Sequence, residues 1–291
     1  MIRRLCSIAL TILLGACLTG GALAAEQLVS TGNQLPRAAV TATLEGGRDG
    51  IALLESRTRV KVGFLEGGAV KSWNALSGSE GAVGIASDET GLLFVVLHLE
   101  GELWLKEYRG GVADGDALHL DTPGAYRGVA GVAAGSGIIW VTFKDPAAVL
   151  LFAYDGEYLS GITKGNEILK SPLGVALGGD GTGYVTDPMG PSLLRISNNG
   201  ELEVAYDLGD TGITRPTGVA VDEWGYVWVT DGISGRVARL EYYESGWDLF
   251  WPGNRKYKDP VHLHYDAAFG KGILLVEGRS GAVRWLEEYV K

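Results

Sequence analysis

"RPTGVAVDEWGYVWVTDGISGRV", residues 215–237, decides the fold. An apolar strand, Gly218 to Val221, runs into an acidic turn, Asp222 to Gly225. A second strand, Tyr226 to Thr230, is apolar at nearly every position. That is the pattern of a strand covered on both faces, where strict alternation is lost. The turn "DGISG" follows, with glycine for left-handed backbone. A third strand then alternates from Arg236 to Tyr243, and "WDLFW" (247–251) adds an outer fourth.

The unit recurs. Further copies begin at Arg37, Gly81, Arg127, Ser171 and Asp259, and the residues matching Gly218 are Val40, Gly84, Gly131, Gly174 and His262. Successive anchors lie 43 to 47 residues apart. A repeat of about 40–45 residues carrying four strands is the period of propeller blades. Six copies predict an all-β chain folded as a six-bladed β-propeller, one domain over residues 26–291. The last copy stops after its third strand, whereas an orphan piece, "EQLVSTGNQ" (26–34), precedes the first. Residues 26–36 are therefore expected to pair with Ala282 to Glu288 and close the ring, which removes two exposed sheet edges.

Composition agrees with a turn-rich β body, with 45 Gly in 291 residues. The net charge of −10 disfavours nucleic acid, whose binding depends on neutralising phosphates. At the N-terminus, "MIRR" and the apolar "LCSIALTILLGACL" read as a secretory signal, too short for a stable membrane span. Two processing sites fit. "ALA" (22–24) suits ordinary cleavage and gives a signal peptide of residues 1–24. "LLGAC", ending at Cys17, has the form of a lipobox, with residues 1–16 removed and a lipid on Cys17. Cys17 as a plain apolar member of the signal helix is a third reading. Localisation is expected to be periplasmic or secreted, with membrane contact only through that anchor. Both cysteines, Cys6 and Cys17, lie in this segment, so the exported body has no disulfide and no thiol chemistry.

The pattern P-x-G-V-A-V-D…G-Y-V-x-V-T-D…G-R-V resembles the NHL repeat. Pro216, Gly218 to Asp222, Gly225 to Asp231 and Gly235 to Val237 carry the match, as do Pro172, Gly174 to Leu177 and Gly183 to Asp187 one blade earlier. The resemblance implies a six-bladed propeller and little about function, because propellers host binders, scaffolds and enzymes. Two enzymatic relatives bear on the site. Peptidylglycine-amide lyases use histidines from separate blades. Gluconolactonase-like (SMP-30-type) enzymes use an early Glu and an Asn in a P-N-G motif. Leu173, Thr217 and Val261 stand at that Asn position here, which removes the metal cage.

Four candidate groups come from the repeats. The second strand ends in Glu55, Asp187, Asp231 and Glu277; a ring of acids suits a cation, whereas single acids after a strand accept N–H bonds from a turn. His262 and His264 share a face of an innermost strand, and His98 follows a second strand; together they are the candidate metal ligands. The loops entering the inner strands carry Arg37, Arg127, Lys170, Arg215 and Lys258, either a cationic rim for an acidic ligand or solvated loop charge. No nucleotide or nucleophile motif is present, and no cofactor is expected. The functional expectation is a non-catalytic binding or scaffold protein of the cell envelope, with an envelope protein or an acidic ligand as partner. The alternative is a hydrolase or lyase with a channel site near His262 and His264.

Overall fold

A computed structural model describes residues 27–30, 36–55, 59–66, 69–70, 72–163, 168–243, 246–252, 255–266 and 272–286. The signal segment and Cys17 lie outside the described residues. Six antiparallel sheets stand in a ring as a six-bladed β-propeller. Blade 5 holds the opening stretch: Pro216–Val221 innermost, then Val227–Asp231, Val237–Tyr243 and Gly246–Phe250. The other innermost strands are Pro36–Leu44, Ala82–Ser87, Arg127–Gly135, Val175–Leu177 and Pro260–Asp266, in blades 1, 2, 3, 4 and 6.

The ring closes as the sequence predicts. Gln27–Ser30 is the outermost strand of blade 6 and pairs with Ala282–Trp285, Gln27 opposite Arg284 and Ser30 opposite Ala282. Residues 26, 31–35, 287 and 288 of that expectation lie outside the described residues. Apolar packing is also circular. Each of the six core clusters draws on two adjacent blades, and one of them joins Ala39, Ile51 and Leu53 of blade 1 to Leu274 and Val276 of blade 6. This explains why the second strands are apolar on both faces.

The repeated residues do identifiable work. A Cβ on Gly174 would lie 2.5 Å from the Thr217 carbonyl oxygen, and one on Gly218 would lie 2.7 Å from the amide nitrogen of Leu263. The anchor glycines thus let neighbouring inner strands approach closely. Threonines then staple blade to blade. Thr142 Oγ1 donates to the Leu173 carbonyl at 2.7 Å, Thr186 Oγ1 to that of Thr217 at 2.6 Å, and Thr217 Oγ1 to that of Pro260 at 2.7 Å. Each such bond contributes about 0.5–1.5 kcal/mol.

The acidic turn of the opening stretch is architecture. Asp222 Oδ1 accepts the N–H groups of Trp224 and Tyr226, and its Oδ2 accepts the indole N–H of buried Trp228 at 2.8 Å. Burial raises the Asp222 pKa, an effect these donors oppose.

Blade 1 requires a correction. Pro36 faces Glu55, as Pro216 faces Asp231 and Pro260 faces Glu277. Ala38, not Val40, therefore matches Gly218 and His262. "RAAVTATLEGG" offers no glycine at the anchor, and a two-residue slip preserves the inward and outward alternation of a strand.

A cationic mouth over an apolar well

At its entry, the inner strand of five blades breaks register with the second strand: between Pro36 and Ala38, Ala82 and Gly84, Val129 and Gly131, Pro216 and Val219, and Pro260 and His262. A bulge re-aims the residue it contains. Arg37, Val83, Ala130, Thr217 and Val261 occupy these bulges, and together with Leu173 of blade 4 they line one end of the central channel. Every blade thus contributes its equivalent residue to one ring. Arg37 is the only charged member. Below the ring, Val132, Val175 and Val219 narrow the wall towards His262, and the cavity holds about 370 Å³.

Two further cations reach this mouth. Arg215 enters from the loop before its inner strand, and Lys144 from the end of the second strand of blade 3, Ile138–Asp145. Lys144 is exposed, yet the protein around its amine lowers its pKa, and Arg37 and Arg215 lower it further. All three cations line the one cavity, and all three are exposed at its mouth. None of them makes an ion pair among the described residues. Among the described residues, Asp259 is the one acid in the lining.

The five-membered rim read from sequence is thus only partly assembled. Arg37 and Arg215 line the mouth, at different tiers, because corrected blade 1 places Arg37 at the bulge itself. Arg127, Lys170 and Lys258, exposed like the mouth cations, do not line the cavity. Lys144 was missed because it lies on a second strand, outside the entry loops.

The acids after the second strands are each committed to a local partner. Asp187 Oδ2 accepts the backbone N–H groups of Lys170 and Ser171, at 2.7 and 2.9 Å. Asp231 Oδ1 accepts those of Arg215 and Ile233. Glu55 pairs with Lys61 at 2.8 Å and Glu277 with Arg284 at 3.1 Å. The turn-acceptor reading holds for Asp187 and Asp231, whereas Glu55 and Glu277 form ion pairs with the next strand instead.

The histidines do not form the metal set considered from sequence. His98 is exposed near the end of its strand, Leu93–Leu99. His262 and His264 face the channel, half-buried. Among the described residues no group of three or more His, Cys, Asp or Glu side chains could hold a metal ion. Dense protein around the imidazoles disfavours their charged forms, lowering the pKa to about 4 for His262 and about 3 for His264. Thr41 Oγ1 donates to Asp266 at 2.9 Å, so it can only accept from His264 Nε2, 3.1 Å away. That assigns the proton of neutral His264 to Nε2. Beyond His262 the channel opens into a second cavity of about 340 Å³, whose lining includes Asp88, Glu89, Asp222 and Glu223. The two ends of the channel are opposite in charge.

No family model and no curated protein matches the chain. Solved structures do. A catalytically inactive histidine-to-alanine virginiamycin B lyase from Staphylococcus aureus, with quinupristin, aligns at TM-score 0.60 and 14% identity, over 90% of this chain and 87% of that one. A chain of a nidogen/laminin complex aligns at TM-score 0.60 and 14% identity, over 84% and 87%. The PQQ-bound aldose sugar dehydrogenase of Streptomyces coelicolor aligns at 0.59 and 14%, over 90% and 97%. At such identities the likeness establishes the propeller fold alone.

Proposed function

We propose that this chain is an exported, non-catalytic binding protein of the cell envelope, of NHL-repeat type, that captures a carboxylate-bearing ligand or acidic partner at the mouth of its channel. The observation that carries this reading is the convergence of Arg37, Lys144 and Arg215, from three blades, on one cavity with no ion-pair partner among the described residues. Like charges are costly to gather, and an incoming anion relieves that cost. On a chain of net charge −10, a local cationic mouth also steers acidic ligands and leaves nucleic acid disfavoured. Export follows from the N-terminal segment, released after residue 24 or anchored through lipidated Cys17.

The test is binding of a carboxylate-bearing probe to the parent and to Arg37→Glu/Arg215→Glu, from about 50 to about 500 mM salt, a range that shortens the screening length severalfold. Binding is expected to weaken with salt in the parent and to be lost in the double variant at unchanged melting temperature. Equal, salt-independent binding by both would overturn the reading.

A second reading, a lyase or hydrolase, is favoured by one arrangement. Ser87 Oγ and Thr41 Oγ1 lie 3.4 and 3.1 Å from the same atom, His264 Nε2, and Thr41 donates on to Asp266. With its proton on Nε2, neutral His264 cannot take one from Ser87 at that atom, so the binding reading stands first. Turnover of quinupristin or of a simple ester that is lost in His264→Ala would reverse that order.

A further inference from the structure

We propose that the ligand of the cationic mouth is an amphiphilic carboxylate: one anionic head on an apolar body of roughly ten carbons, seated body-inward. The proposal rests on the anion-binding reading above and adds the chemistry of what lies beneath the charge.

Four members of the six-residue ring are apolar: Val83, Ala130, Leu173 and Val261. The fifth, Thr217, has its hydroxyl engaged with the Pro260 carbonyl at 2.7 Å and with Thr230 Oγ1 at 2.8 Å. The carbonyls of Leu173 and Thr217 already accept from Thr142 and Thr186. The side chains of the wall therefore offer few free hydrogen-bonding groups to the body of a ligand, His262 Nε2 at its foot being one. A sugar or a polar peptide would shed water here with little replacement, at a cost in affinity. An apolar body loses nothing and gains by burial. Leu173 is half-buried and belongs to none of the core clusters, so part of its surface is open to an occupant of the well. At roughly 30 Å³ per water-sized group, a well of about 370 Å³ takes about twelve non-hydrogen atoms. Arg37, Lys144 and Arg215 stand at the open end, so the head remains at the mouth.

The experiment is calorimetric titration of the exported protein with acetate, hexanoate and decanoate, and with inorganic phosphate and decyltrimethylammonium as controls, at fixed salt. Affinity is expected to rise by about fourfold per methylene until the well is full. Arg37→Gln should weaken every carboxylate. Leu173→Asn should weaken decanoate by about tenfold or more and leave acetate unchanged; Ala130→Asn gives the same readout should Leu173→Asn not fold. If acetate, phosphate and decanoate bind alike and all depend on Arg37, the mouth takes anions but the well does not take their bodies, and this inference is overturned while anion binding stands. If decanoate and decyltrimethylammonium bind alike and Arg37→Gln alters neither, or if no anion binds, the anion-binding reading fails and this inference with it.

Discussion

The backbone N–H of Arg215 donates to Asp231 Oδ1 at 3.1 Å, so a buried acid at the end of one strand fixes the loop that carries a mouth cation. Asp187 holds the backbone of Lys170 in the same way one blade earlier. These acids shape the rim without lining the cavity.

Asp231→Ala leaves the loop donors of Thr214, Arg215 and Ile233 without their acceptor. A stability loss of about 1–3 kcal/mol is expected in denaturant unfolding. Calcium should not alter the melting temperature of the parent. A calcium-dependent rise that Asp231→Ala abolishes would restore the cation-ring reading.

Gly218→Ala places a methyl 2.7 Å from the amide nitrogen of Leu263 and 2.8 Å from the carbonyl carbon of His262, both backbone atoms that cannot swing aside. Overpacking of this kind costs about 1–3 kcal/mol. Gly225→Ala is the control: nothing lies within 4 Å, and only its positive φ of 84° opposes the substitution. A Gly218→Ala protein as stable as the parent would show that inner strands do not need the close approach.

Deleting residues 27–30 removes the outer strand of blade 6 and exposes the edge of Ala282–Trp285. Lower melting temperature and concentration-dependent association are expected. A truncated protein that melts with the parent and stays monomeric contradicts closure by this strand.

Much of the architecture is legible in sequence because each repeat shows the same physical demands: glycine where strands crowd, threonine where blades are stapled, aspartate where a turn needs an acceptor. Blade 1 is less legible, since Ala38 stands where the others carry glycine or histidine, and strand alternation tolerates a two-residue slip. The mouth is harder still. Counting residues back from an anchor treats the chain as a regular strand, whereas the bulge at Arg37 turns that residue into the channel and leaves Lys170 and Lys258 outside the lining. Lys144 gives no local signal; it is brought in by a second strand that runs on to Asp145. His98 carries the right residue type for a metal site, but its exposed position at a strand end separates it from His262 and His264.

Stability should fall as pH drops below about 6.5, where unfolded histidine protonates. Folded His262 and His264 remain neutral down to about 4 and about 3, so the unfolded state binds more protons across that window. A protein carrying His262→Asn and His264→Asn should show a shallower loss between pH 6.5 and 5, above the range of ordinary carboxylates. The comparison is thermal unfolding of both proteins at each pH; identical slopes would mean that the rings titrate normally in the channel.

The most direct test of the cationic mouth is the pKa of the Lys144 amine, followed by NMR of labelled lysine in the presence and absence of decanoate. The account predicts a value below the ordinary lysine range, raised in Arg37→Gln and Arg215→Gln, and raised again in the parent when the carboxylate binds, because each change removes or offsets a neighbouring positive charge. An ordinary pKa that neither substitution nor carboxylate moves would show that the three cations do not share a site.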